Sequence, residues 1–201
     1  MAVAATGFMT SHHSAVVVGY DFSHSGHAAL NRAVCLAGRA PHHVLHVVCV
    51  VSRDAPIPSI PVYDGVDYMY ATRVQEALAA VVHEELEREN VTARVSFFVH
   101  ARIGEPVDEL LSIAREVGAD LIIVGSHGLT GLERLVLGST SEKIVREAGC
   151  TVEVARPKQY PEVDLMPVVE VESQSSTYVP PHRYEYEDHR VLLRPVEWPL
   201  Y

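Results

Sequence analysis

Residues 120–149 read DLIIVGSHGLTGLERLVLGSTSEKIVREAG. The stretch begins with a short apolar run, residues 120–124, which is typical of a buried strand. Glycines follow at positions 125, 128 and 138, and the polar run 138–141 (GSTS) opens a helical pattern. Glycine lets a backbone approach a phosphate closely, and the unpaired N–H groups at a helix start favour an anion. The stretch therefore predicts a strand, an anion-binding loop and a helix.

The rest of the chain repeats this alternation of strand and helix. Apolar or β-branched runs predict strands at 15–20, 43–51, 93–100, 120–124 and 151–155. Helical periodicity predicts a helix ending near Gly38 and others over 67–89, 106–117 and 139–148, the last with Ile144, Val145 and Ala148 facing inward. Such alternation gives an α/β three-layer sandwich around a five-stranded parallel sheet. Ligands bind such sheets beyond the carboxyl ends of the strands.

Composition limits the classes of partner. The 201 residues are 48% hydrophobic and carry a net charge of −10, without the basic stripe of a nucleic-acid-binding protein. Three cysteines lie in apolar surroundings without CxxC spacing, which is typical of a reducing compartment. Neither a secretory leader nor an 18-residue apolar span is found, so we expect a cytoplasmic protein with no membrane or nucleic-acid partner.

The chain divides into three parts by composition. We expect a flexible N-terminus over 1–14, one α/β domain over 15–156 and an extended C-terminal arm over 157–201. The arm is rich in proline and acidic residues, yet it also holds six Tyr and Trp side chains outside its polar run 173–177. It is interpreted as an arm that docks on the second subunit of a dimer, with a disordered acidic tail as the alternative. Glu153 in the last strand predicts a sheet edge or a polar partner there.

The three glycines fit the pattern G-x2-G-x9-G-[ST], completed by Ser139. Together with Gly19-Tyr20-Asp21 after the first strand, the pattern resembles the ATP-binding universal stress proteins over about residues 15–156. The resemblance implies a flavodoxin-like fold, similar to the adenine nucleotide alpha hydrolases, with strand order 3-2-1-4-5. It also implies ATP as the ligand, with Mg or Mn carried by the triphosphate, and a homodimer formed through strand 151–155.

The resemblance assigns a set of binding residues. Asp21 would hydrogen-bond the adenine or ribose, Val47 would contact the base through its backbone, and 124–128 would form the ribose and phosphate side. The full set is Tyr20, Asp21, Val47, Val124, Gly125, Ser126, His127, Gly128, Gly138, Ser139, Thr140 and Ser141. Two alternatives stay open: Ser139 and Glu142 could form only a capping box, and Arg134 could either reach the phosphates or remain solvated.

Residues 19–30, GYDFSHSGHAAL, allow a second interpretation. His24-x-Gly26-His27 matches the HxGH motif of nucleotidylyltransferases, although the usual preceding proline is missing. We favour Ser23 as the cap of the first helix and the two histidines as surface residues near the nucleotide. His42, His43 and His46 lack partners at ligand spacing, so no metal site is predicted.

The sequence therefore predicts an ATP-binding regulatory protein of stress response. No catalytic residue is assigned, and hydrolysis is expected to be slow or absent because no general base or dedicated metal ligand is evident. The alternatives are an adenylyl-transferring enzyme that uses His24 and His27, and a nucleotide-free interaction module that acts through its C-terminal arm.

Overall fold

The computed structural model describes residues 13–40, 42–92, 94–128, 137–160, 186–187 and 190–191. The chain separates into two units, Met1–Lys158 and Gln159–Tyr201. The strands of the first unit are β1 (Ser14–Gly19), β2 (His43–Val51), β3 (Ser96–Ile103), β4 (Leu121–Gly125) and β5 (Thr151–Ala155). Its helices are α1 (His24–Arg39), α2 (Tyr68–Arg88), α3 (Pro106–Val117) and α4 (Ser139–Glu147).

The five strands form one sheet in the order β3-β2-β1-β4-β5, and every neighbouring pair is parallel. The predicted flavodoxin-like α/β fold is thereby confirmed. Because β1 lies between β2 and β4, the chain winds outward in one direction from β1 and in the other direction from β4. This reversal places the carboxyl ends of β1 and β4 at the topological switch point, where open parallel sheets bind ligands.

Alternation along β1 builds two cores. Val16 and Val18 pack with α1 and α2 on one face of the sheet, while Val17 packs with α3 and α4 on the other. The side chains of a strand point alternately to the two faces, so a strand covered on both sides must be apolar throughout. This requirement explains the continuous apolar run that predicted β1.

Local signals set the helix ends. Ser23 caps α1, because its hydroxyl accepts a hydrogen bond from the Gly26 N–H at 3.0 Å, as predicted. Asp67 caps α2 by accepting from the Tyr70 N–H at 2.8 Å. Helix α3 begins at Pro106 and ends at Gly118, whose φ of 62° is left-handed.

Two predictions about these elements were wrong in detail. The third strand runs over Ser96–Ile103 instead of 93–100, because the pairing with β2 extends from Val44 to Val51 and carries β3 along with it. Val145 is 49% exposed although it was expected to face inward. The buried stripe of α4 is formed by Ser141 and Ile144, and Val145 is rotated about 100° around the helix from Ile144.

In the second unit, Tyr186–Glu187 and Arg190–Val191 form a short antiparallel pair. Most of the predicted flexible N-terminus and most of the predicted arm lie outside the described residues, while Ser14 already belongs to β1. No helix in the described part of the chain has the length and apolar character that a membrane crossing needs.

Candidate functional site

A cavity of about 190 Å³ opens at the carboxyl ends of β1 and β4. It therefore lies at the switch point of the sheet, where the sequence predicted a site. Its lining consists of Gly19, Tyr20, Asp21, Val48, Val50, Pro106, Leu110, Val124, Gly125, His127, Gly128, Gly138, Ser139, Thr140, Ser141 and Ile144.

One side of the cavity is apolar. Val48 and Val50 of β2, Pro106 and Leu110 of α3, and Ile144 of α4 contribute to this wall. Val48, Leu110 and Ile144 belong to the core that packs between the sheet and α3 and α4. These core residues are thus open to the cavity, where a flat aromatic ring can pack against them.

The start of α4 forms the polar side of the cavity. The helix begins at Ser139 after Gly138, and no side chain caps it. The capping box of Ser139 and Glu142 is therefore not formed, since Ser139 is the first helical residue. The first N–H groups of a helix have no partner within the helix, and the helix dipole adds a partial positive charge there. An anion placed at this end of the cavity would meet both.

Two hydrogen bonds hold the start of α4 against the loop after β4. The Ser141 hydroxyl donates to the Gly125 carbonyl at 2.6 Å, and the Gly138 N–H donates to the Ser126 carbonyl at 2.9 Å. Ser141 is buried, so its hydroxyl stabilises the loop, while the hydroxyl-bearing residues Ser139 and Thr140 also line the cavity.

The structure gives Gly125 a different role from the one that the sequence suggested. A Cβ there would lie 2.6 Å from the Ser25 carbonyl carbon and 2.7 Å from its oxygen. Glycine is therefore required by the first turn of α1, which packs against the end of β4. A Cβ on Gly128 would lie 3.0 Å from Asp21 Oδ2, so this glycine lets the loop approach the carboxylate. Neither residue is among the described glycines with a positive φ.

Asp21 lies at the rim of the cavity and is fixed by its own turn. Its Oδ1 accepts a hydrogen bond from the Ser23 N–H at 3.0 Å. Gly26 leaves room for this carboxylate, since a Cβ there would lie 2.6 Å from Oδ1. Tyr20 also lines the cavity, but its hydroxyl lies 3.0 Å from His27 Nε2, and burial raises its pKa. The preformed turn presents Asp21 as a hydrogen-bond acceptor.

Two of the predicted residues do not line the cavity. Val47 is fully buried on the α1 and α2 side of the sheet, and its neighbour Val48 lines the cavity instead. Ser126 is 2% exposed, and its Oγ lies 3.0 Å from His127 Nδ1. Arg134 lies outside the described residues.

Six residues that line the cavity were not predicted from the sequence. They are Gly19, Val48, Val50, Pro106, Leu110 and Ile144. Alternation along β2 was the available signal for Val48 and Val50.

The two histidines of the HxGH motif lie elsewhere. His24 and His27 are exposed and line a separate groove of about 820 Å³ between α1 and β5. Glu153 lines the same groove and forms an ion pair with Arg32, with a distance of 2.5 Å between Oε1 and Nε. The polar partner that the sequence predicted for Glu153 is thus a side chain of α1, and β5 is an edge strand of the sheet.

Known proteins resemble this chain in sequence. The model of the universal stress protein family matches residues 13–156. A Staphylococcus epidermidis protein named for this family is 35% identical over 158 residues, which cover 77% of this chain and 90% of the relative. A Staphylococcus haemolyticus relative with the same family name is 34% identical over 155 residues, with the same shares of 77% and 90%.

Solved structures of the same family share the fold. A Burkholderia pseudomallei member is 26% identical with a TM-score of 0.50, and the match covers 71% of this chain and 95% of that one. A Lactobacillus plantarum universal stress protein is 24% identical with a TM-score of 0.54, over 72% of this chain and 99% of that one. The family match over residues 13–156 lies within the first unit, which contains the parallel sheet.

Proposed function

The chain belongs to the universal stress protein family, and we propose that it binds ATP in the cavity between β1 and β4. The observation that carries the proposal is the start of α4, which has no side-chain cap and lines the same cavity as the apolar wall. A nucleotide needs this combination of an apolar surface for its base and unpaired backbone donors for its phosphates.

The lining of the cavity supports one orientation of the proposed ligand. The base lies against the apolar wall formed by Val48, Val50 and Leu110. Asp21, which is held by the Ser23 N–H, accepts a hydrogen bond from the ribose or the base. The phosphates lie at Gly128 and the first turn of α4, with a Mg²⁺ or Mn²⁺ ion carried by the triphosphate.

We propose a regulatory role with slow hydrolysis or none. Asp21 and His127 are the acidic and imidazole side chains that line the cavity in the described part of the chain, and Tyr20 beside them has its pKa raised by burial. The Asp21 carboxylate accepts from the Ser23 N–H, and His127 Nδ1 lies 3.0 Å from the Ser126 hydroxyl. Efficient hydrolysis needs a general base or a metal aimed at water, and both of these side chains are already engaged in local hydrogen bonds.

Calorimetry with Gly128→Val tests the ATP site. The valine side chain would meet the Asp21 carboxylate and project into the cavity. We expect ATP affinity to fall at least about tenfold, which is about 1.4 kcal/mol. Gly149→Val is the matched control, because a Cβ there meets nothing within 4 Å. Equal ATP affinity in the wild type and Gly128→Val, or no ATP binding by the wild type, would contradict the proposal.

The adenylyl-transfer alternative is tested separately. His24 and His27 line the groove at β5 and are absent from the lining of the β1–β4 cavity. The double variant His24→Ala/His27→Ala should therefore keep its ATP affinity within a few fold. Pyrophosphate release that is present in the wild type and lost in the double variant would favour the transferase instead.

We further propose that two copies associate through β5. This strand is a sheet edge, and Val152 and Val154 on it are only partly buried. An edge strand leaves a row of backbone groups that a second copy can pair in a symmetric dimer. Val154→Asp should shift sedimentation toward the monomer, whereas Val145→Asp on the exposed side of α4 should not. An unchanged dimer constant in a folded Val154→Asp variant would rule this interface out.

A further inference from the structure

Two histidines from neighbouring strands meet on one face of the sheet. The register of β2 and β3 pairs His46 with Phe98 and Val48 with His100, so the two histidines are diagonal neighbours. His46 Nδ1 lies 3.1 Å from His100 Nε2. The ring of Phe98 stacks on that of His46 at 5.1 Å and 17°. The two imidazole nitrogens thus face each other, and the ring of His46 packs against an aromatic neighbour.

The pair is accessible to solvent. His46 and His100 are both partly exposed, and Phe98 beside them is 57% exposed. A small cation can therefore reach the two nitrogens without any opening of the structure. Neither histidine lines the β1–β4 cavity or the groove at β5.

We propose that His46 and His100 chelate a divalent transition-metal ion. A metal bound to two imidazoles at about 2.0–2.1 Å, with an angle near 100° at the metal, separates their nitrogens by about 3.1 Å. The nitrogens already stand at 3.1 Å, so the chelate needs rotation of the two rings toward the metal but no rearrangement of the backbone. Without metal, one ring donates its N–H to the other; on binding, that proton moves through solvent to the other nitrogen of the same ring, so that both facing nitrogens can bind the metal.

The electrostatics keep both ligands in the neutral form. Burial lowers the pKa of His46, and burial together with His46 and Arg102 lowers the pKa of His100, although Glu116 opposes this. The Arg102 guanidinium is itself paired with Glu116 at 2.9 Å, which reduces its repulsion of an incoming cation. Metal binding requires neutral imidazole.

The ligand set selects the class of metal. Imidazole nitrogen suits Cu²⁺, Ni²⁺ and Zn²⁺, whereas Mg²⁺ and Ca²⁺ prefer oxygen. Within the described residues, no group of three or more histidine, cysteine or acidic side chains could hold a metal. Water therefore completes the coordination, which makes the site exchangeable and leaves positions open to a further ligand. Copper should bind most tightly of these ions.

Zinc titration of the full-length protein, followed by imidazole ¹⁵N NMR, tests the proposal. We expect Zn²⁺ to shift His46 Nδ1 and His100 Nε2 together as one equivalent is added. In calorimetry, His46→Gln and His100→Gln should each weaken this site at least about tenfold, which is about 1.4 kcal/mol. The control His83→Gln on α2 removes a histidine that contacts Phe97 and should leave the affinity unchanged.

Several outcomes would overturn the site. Zinc that shifts other imidazoles first, or that moves only one ring of the pair, would place the metal elsewhere. Equal affinity in His100→Gln and His83→Gln would do the same. The NMR measurement uses the native protein, so it remains decisive if a variant fails to fold. ATP binding is measured in a separate titration, and its failure leaves this test intact.

Discussion

Gly125 ends β4 at the place where the first turn of α1 approaches it, and this contact predicts a large effect for Gly125→Ala. The added Cβ would lie 2.6 Å from the Ser25 carbonyl carbon. Carbon atoms pack at about 3.5–4.0 Å, so the two backbones would have to separate by about 1 Å. The start of α1 cannot yield easily, because the Gly26 N–H donates to the Ser23 hydroxyl and the Ser23 N–H donates to Asp21 Oδ1.

This geometry sets the expected magnitude. Overpacking costs about 1–3 kcal/mol, and a clash between backbone segments belongs at the upper end of that range. For a chain of this size, 1 kcal/mol corresponds to about 2–4 °C in melting temperature. Gly125→Ala should therefore melt about 6–12 °C below the wild type.

Thermal and urea denaturation followed by circular dichroism measure the effect. The matched control is Gly149→Ala, where the new Cβ meets nothing within 4 Å and the backbone does not need glycine. We expect the control to stay within about 0.5 kcal/mol of the wild type. If the melting temperatures of the two variants differ by less than about 2 °C, the close approach of β4 and α1 is not the reason that this position requires glycine.

Three further predictions rest on single contacts. Asp67→Ala removes the cap of α2 and should lower the free energy of unfolding by about 1 kcal/mol in urea; no change would mean that water replaces the cap. Ser141→Ala leaves the Gly125 carbonyl without its buried donor and should cost about 1–3 kcal/mol, and a neutral result would contradict that hydrogen bond. Cys49 is fully buried, and burial raises its pKa to about 12. In the native protein at pH 8, Cys49 should therefore react with a thiol reagent far more slowly than Cys35 and Cys150. Comparable rates for the three cysteines would show that β2 opens readily.

Much of the fold could be predicted from local signals. The bounds of β2 and β5 match those predicted, because each is a β-branched run limited by turn residues. Ser23 and Pro106 marked helix starts correctly because capping depends on the nearest few residues. The start of β3 was missed by three residues, since its extent is set by the partner strand and not by its own sequence.

The lining residues in the turns could be predicted from the sequence, whereas those on the strands could not. Asp21, Gly128 and the start of α4 follow directly from strand ends and glycine spacing, and the structure brings all of them to one cavity. The family resemblance assigned Val47, and alternation along β2 does not show which face of the sheet holds the cavity that Val48 lines. That face depends on which helices cover each side of the sheet.

The sequence by itself determined the alternation of strands and helices, the glycine spacing and the capped turns, because these depend on interactions between residues close in the chain. Tertiary structure alone decided which side chains from different strands meet. It left His24 and His27 out of the lining of the cavity between β1 and β4, and it brought His46 within 3.1 Å of His100, 54 residues further along the chain. The physical reason is that strand order and register fix such contacts, and both arise only when the whole sheet assembles around its two cores.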